Sequence, residues 1–123
     1  MIRATFGKSD KERALVLTVK GHAGYADKGK DVVCAAASIL ALTAAQDAED
    51  AYGAGKLTGK PLIKLRDGST RIVLQCRDDD AYAELLHTFF IIQKGFLCLE
   101  RAAPASVKTA AFGKKRNIAD TTV

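Results

Sequence analysis

Tryptophan is absent, and the three cysteines, Cys34, Cys76 and Cys98, are an odd number with no Cys-x-x-Cys pair. Neither a disulfide framework nor a zinc knuckle is indicated. Uninterrupted apolar stretches fall short of a membrane span, and no charged, apolar and small-residue leader opens the chain. A cytosolic protein with no membrane contact is therefore expected. Aromatic and basic residues do not interleave, which removes the usual signature of single-strand RNA binding. What is present is an ordinary globular composition: 123 residues, 48% hydrophobic, enough for one domain with a real core. The net charge is +5, and Lys114-Lys115-Arg116 form a basic run near the C-terminus. Such a run reads as a solvated tail or as a contact for an acidic partner such as RNA.

Ile2, Ala4 and Phe6 alternate with polar residues as in a half-buried strand. A turn over Gly7–Glu12 leads to a second strand with Leu15, Leu17 and Val19, and the two read as a hairpin. From Val32 to about Tyr52 the chain is rich in alanine and leucine, and Gly53, Gly55 and Gly59 stop this helix. Ile39, Leu40, Thr43, Ala44 and Asp47 fall along one side, and the alanines leave room for close packing. Leu62–Leu65 and Ile72–Cys76, joined by Asp67-Gly68, make a second hairpin. Asp78-Asp79-Asp80 offers caps for a long helix to about Arg101, ended by Pro104. Tyr82, Phe89, Phe90, Ile92, Phe96 and Leu99 cover more of that helix than one small sheet can bury, which argues for a two-fold partner. Residues 107–112 can add an edge strand. The expected fold is α+β: an antiparallel sheet from two hairpins with two helices, in the order β-β-α-β-β-α.

Between the second strand and the first helix lies the stretch Gly21-His22-Ala23-Gly24-Tyr25-Ala26-Asp27-Lys28-Gly29-Lys30-Asp31-Val32-Val33-Cys34. Asp31 has the character of a helix N-cap, which places Cys34 in the first turn, among free N–H groups that favour a thiolate. His22 stands at the loop's entrance, and imidazole titrates near neutral pH, as a general base for a cysteine nucleophile must. Asp31 could also orient His22, completing a Cys-His-Asp arrangement. The glycines of residues 24–30 give hinge freedom suited to a substrate lid. Backbone N–H groups at the helix start, Cys34 among them, are candidate oxyanion donors. His87 belongs to no such cluster, and Cys76 and Cys98 read as packing residues. The loop lacks the Gly-x-x-x-x-Gly-Lys-Ser/Thr order of a phosphate loop. His22, Asp31 and Cys34 lack the further His or Cys of a usual metal set, so neither metal nor cofactor is expected.

The run carried by Gly21, His22, Ala23, Gly24, Gly29, Asp31, Val32, Val33, Cys34, Ala35, Ala36 and Ser38 resembles the ribosomal-processing cysteine proteases, the Prp family. The resemblance implies an endopeptidase that removes a short N-terminal extension from large-subunit ribosomal protein number twenty-seven. It implies Cys34 as nucleophile, His22 as base, and a homodimer. Gly21, Gly24, Tyr25, Gly29 and Ser38 fall where the substrate and lid residues are expected. Residues 1–103 would be the protease domain and 104–123 a C-terminal segment with the basic tail. The family's substrate is itself basic, so net charge does not steer the encounter. The alternative is a non-catalytic ribosome- or RNA-associated module that uses the tail and buries Cys34.

Overall fold

The computed structural model describes residues 1–22 and 28–113, without the side chains of 28–31. β1 (Ile2–Ser9) and β2 (Ala14–Lys20) pair antiparallel from Arg3↔Lys20 to Ser9↔Ala14. The alternation continues through Gly7 and Ser9 because Val16 and Ala14 pair with them, so the turn shrinks to Asp10–Arg13 from the expected Gly7–Glu12. It closes with Arg13 at φ 53 and its N–H on the Asp10 carbonyl at 3.3 Å. β3 (Leu62–Arg66) and β4 (Ser69–Gln75) form the second hairpin about Asp67-Gly68, as expected.

The two hairpins join through β2 and β4, and the sheet order is β3-β4-β2-β1-β5. β5 (Val107–Ala110) is the edge strand, but it pairs parallel with β1. The four hairpin strands pair antiparallel, as expected, and the edge strand, whose direction the sequence left open, makes the sheet mixed. The cause is topological. α1 (Lys28–Gly53) joins β2 to β3 and α2 (Asp79–Ala102) joins β4 to β5, each a helical crossover between strands running the same way.

The helices pack on one side of the sheet. Ile2, Ala4, Phe6, Leu15, Leu17, Ile72 and Leu74 point to that side and are buried. Phe6 meets Phe96 and Phe112 edge-on, with centroids 5.9 and 5.4 Å apart. α2 begins where its acids predicted: the Asp78 side chain accepts from the Ala81 N–H at 2.9 Å. Two of its side chains hold the C-terminal segment, Glu100 accepting from the Thr109 N–H and Gln93 from the Phe112 N–H.

Four expectations about the helices are corrected. α1 starts at Lys28, so Lys28, Gly29 and Lys30 belong to helix backbone and Asp31 lies within it, not at its cap. The packed side of α1 is Ala37, Ala41, Ala44, Ala45, Ala48 and Ala51, whose small side chains let it lie close, whereas Ile39 and Thr43 face out. By length and composition Val32–Gly53 could cross a membrane, yet this alanine stripe is packed in the core. Of the six α2 residues expected to leave a partner surface, Tyr82, Phe89, Ile92 and Phe96 are buried within the chain by the sheet, α1 and β5, whereas Leu99 is half-buried and Phe90 is exposed. Cys98, expected to pack, is exposed on α2, with an Arg101 N–H donating to its Sγ at 3.1 Å. His87 is exposed.

Candidate active site

One end of the sheet gathers the β1 start, the β2 end, the β3–β4 turn and the early part of α1. A cleft of about 200 Å³ opens there, lined among others by His22, Cys34, Ser38, Arg66, Asp67 and Gly68. His22 and Cys34 thus face one space, although a whole loop separates them in sequence. Ala37 and Ala41, one and two turns along α1 from Cys34, line it as well.

The backbone beneath His22 is held by two hydrogen bonds. The Gly21 N–H donates to the Gly68 carbonyl at 2.9 Å, which carries the β2–β4 pairing one residue past the strand. The His22 carbonyl accepts from the N-terminal ammonium of Met1 at 2.6 Å. Gly21 sits at φ 97, and a Cβ there would collide with the Met1 carbonyl oxygen. Only glycine lets the chain turn this close to β1. The imidazole of His22 itself lies on Gly68, at the tip of the second hairpin.

Cys34 lies in the second turn of α1, because the helix begins earlier than expected. Only the first four N–H groups of a helix are left free by its own ladder, so the Cys34 amide is not among the oxyanion donors that sequence reading favoured. Donor side chains on the cleft are Ser38, Arg66, Ser69 and Thr70. Ser38 was expected at the site and lines it, one helical turn past Cys34. Gly24 and Tyr25 lie outside the described residues, as does the Asp31 side chain. The contribution of Asp67-Gly68 went unread, although its turn composition was plain. Nothing local tells that a turn so distant in sequence folds over His22.

Cys76 is buried, and burial together with the nearby Asp78 charge pushes its thiol up to about 11. It is a packing residue, remote from the cleft. Among the described residues no group of His, Cys, Asp and Glu could hold a metal ion.

Solved structures with this fold include SMU.848 from Streptococcus mutans, at a TM-score of 0.62 and 23% identity, covering 89% of this chain and 92% of that one. An essential ribosomal processing protease Prp from S. aureus is similar in two structures. With a covalently linked product peptide it gives a TM-score of 0.60 at 21% identity, covering 89% of this chain and 98% of that one. With a substrate peptide it gives 0.61 at 17%, covering 89% and 97%. No curated protein matches the chain. At such identities the likeness is one of fold. Sequence carries the assignment further, since the description of the cysteine protease Prp matches residues 1–108, taking in both hairpins, both helices and the cleft that joins His22 to Cys34: the chain belongs to the Prp family of cysteine proteases.

Proposed function

We propose that the chain is an endopeptidase that removes a short N-terminal extension from large-subunit ribosomal protein number twenty-seven, with Cys34 as nucleophile and His22 as general base. The observation that carries this reading is the shared cleft of His22 and Cys34 in a chain of the Prp family. The S. aureus protein of the same fold, a ribosomal processing protease, binds substrate and product peptides. In the proposed reaction His22 takes the Cys34 proton, and the thiolate attacks the scissile carbonyl carbon. The tetrahedral oxyanion collapses to a thioester while His22 protonates the departing amine. Water, deprotonated by His22, then attacks the thioester, releases the new carboxylate and returns the thiol. Ser38 and Arg66 supply donors for the oxyanion, where each hydrogen bond gains strength as charge develops. The same reading carries the family's homodimer and a cytosolic location.

The test is incubation of the chain and its Cys34→Ala variant with the extended ribosomal protein, read by intact mass. A single cut by the parent and none by the variant is expected. Cleavage by both would remove Cys34 from the reaction, and cleavage by neither would remove the substrate.

A further inference from the structure

The strand register decides which side chains leave the sheet on the side away from the helices. Cross-strand partners share a face, and successive residues of a strand alternate. Following the pairs outward from Arg3, one row across all five strands reads Arg66, Ser69, Lys20, Arg3 and Lys108. The next row reads Lys64, Arg71, Thr18, Thr5 and Ala110. Both rows face opposite to the buried Ile2, Ala4, Leu17 and Ile72. Six cations therefore share this face, and no strand places an aspartate or glutamate on it. All but half-buried Arg71 are exposed, and among the described residues none of the six is in an ion pair.

The arrangement works against the fold taken alone. Lys64 stands directly opposite Arg71, and Arg3 stands between Lys20 and Lys108. Like charges directly opposed across strands destabilise a sheet. Among the described residues no carboxylate neutralises them, so the surface suits an anion that does. Strands about 4.8 Å apart spread the two rows over roughly 19 by 7 Å, which suits a chain of phosphates better than one small ligand. Hydroxyls of Thr5, Thr18 and Ser69 stand among the cations, and such groups share phosphate and sugar contacts with Arg and Lys. No aromatic side chain lies in either row, so splayed bases find nothing to stack on. No apolar side chain larger than Ala110 lies among the cations, and of the adjoining apolar row on this face, Leu62, Val73, Val16 and Gly7, only Leu62 is exposed, too little to anchor in a lipid surface. A second copy of the chain would bring cations against cations.

We propose that this open sheet face docks RNA through its sugar-phosphate backbone, without reading sequence. That the occupant is a polynucleotide backbone rests on the sheet itself; that it is RNA and not DNA rests on the ribosomal-protein reading above. The face adjoins the cleft at Arg66, which lines both. A substrate protein seated on the same RNA would thus be presented beside Cys34, and a basic protease would meet a basic substrate without depending on their mutual charge.

The test uses the full chain carrying Cys34→Ala, so that binding is measured apart from cleavage. Fluorescence anisotropy follows a fluorescein-labelled RNA hairpin, the same hairpin in DNA, and phosphatidylglycerol vesicles. The parent should bind the RNA hairpin with affinity that falls about forty-fold for each doubling of salt, as six released phosphate counterions predict by analogy with duplex DNA. The Arg3→Gln/Lys64→Gln/Arg71→Gln/Lys108→Gln variant should bind at least ten-fold more weakly and with a flatter salt slope. Lys94→Gln on the helix side, and a chain ending at Gly113, should bind like the parent. With Cys34 restored, the fourfold variant should still cut a short substrate peptide. RNA protection of Lys20, Lys64 and Lys108 from acetylation in the parent, with Lys94 unprotected, supports the proposal without any variant. Parent-like binding by the fourfold variant, loss confined to the shortened chain, or absence of that protection would each overturn it. Equal binding to DNA overturns the RNA assignment, and vesicle binding that competes with RNA overturns the choice of partner. RNA binding that survives while the ribosomal protein goes uncut would defeat the protease reading alone.

Discussion

A Cβ added to Gly68 would lie 2.6 Å from Nε2 of His22. The glycine also holds φ 72, where other residues are strained. The turn of one hairpin is thus a seat for the imidazole delivered by the other. Gly68→Ala should lower kcat/KM for peptide cleavage at least ten-fold by displacing His22, and cost about 1–2 kcal/mol of stability. Steady-state kinetics and thermal melting read the two effects separately. Parent-like kinetics would mean that the imidazole is not seated there during catalysis.

Asp31 can now be separated from capping. Replacing a cap residue by alanine costs about 1 kcal/mol, but inside a helix alanine is the better former. With α1 starting at Lys28, Asp31→Ala should therefore melt no lower than the parent. If the carboxylate orients His22, turnover should still fall sharply, and in Asp31→Asn as well. Unchanged turnover in both variants would take Asp31 out of the site, leaving Asp67, which lines the cleft, as the carboxylate to test next.

Thiol reactivity should sort the cysteines into three kinds. Cys98 is exposed and Cys76 is buried with its thiol pushed up to about 11, by burial first and by the Asp78 charge second. Iodoacetamide at neutral pH should modify Cys76 only on unfolding, and Cys98 at the rate of an ordinary surface thiol. In a Cys98→Ser background one fast cysteine should remain, and it should be Cys34. His22→Ala should slow it. An equal rate in that variant would argue that His22 does not activate the thiol.

What could be read in advance, and what could not, divides by distance along the chain. The hairpins and the Asp78 cap rest on alternation, a turn dipeptide and three adjacent acids, all local signals. The start of α1 was misplaced because Gly29 argues against a helix while Asp31 imitates a cap. Residues Lys28–Lys30 join the helix against those propensities. The parallel pairing of β5 and the contact of Gly68 with His22 depend on topology, which no short window contains. Cys98 lies among Phe96, Leu97 and Leu99, yet helical spacing turns it to solvent.

Asp47 gives a pH dependence of stability. Burial, with the charges of Asp50 and Glu84, raises its carboxyl above the usual range, and its Oδ2 has no hydrogen-bond partner among the described residues. The folded state therefore holds this proton more tightly than the unfolded one. Its favourable contribution is complete only below the unfolded carboxyl range near pH 4, and is lost as pH rises through the folded value. Asp47→Asn should raise the melting temperature at pH 7, with the gain shrinking toward zero below about pH 4. A variant less stable than the parent at pH 7 would show that the carboxylate is favourably placed.

The proposed homodimer has a larger exposed apolar stripe to use on α1 than on α2. On α2, Phe89 is fully buried and Phe90, 37% exposed, rests its ring on Phe112 at 5.0 Å. Phe89→Asp should therefore unfold the chain and Phe90→Asp destabilise it, neither acting on association. α1 is different. Val32, Ile39 and Leu42 are 69%, 61% and 47% exposed and share one helical stripe. Covering such side chains gains about 1.5–3 kcal/mol each when burial is complete, and an isologous contact counts each residue twice. Sedimentation at micromolar concentration should report about twice the 13.1 kDa chain mass. Ile39→Asp should reduce it to a monomer with an unchanged circular dichroism spectrum, because that side chain is mostly exposed. A parent that sediments as a monomer would refute the dimer. A dimer that survives Ile39→Asp would place the interface away from this stripe.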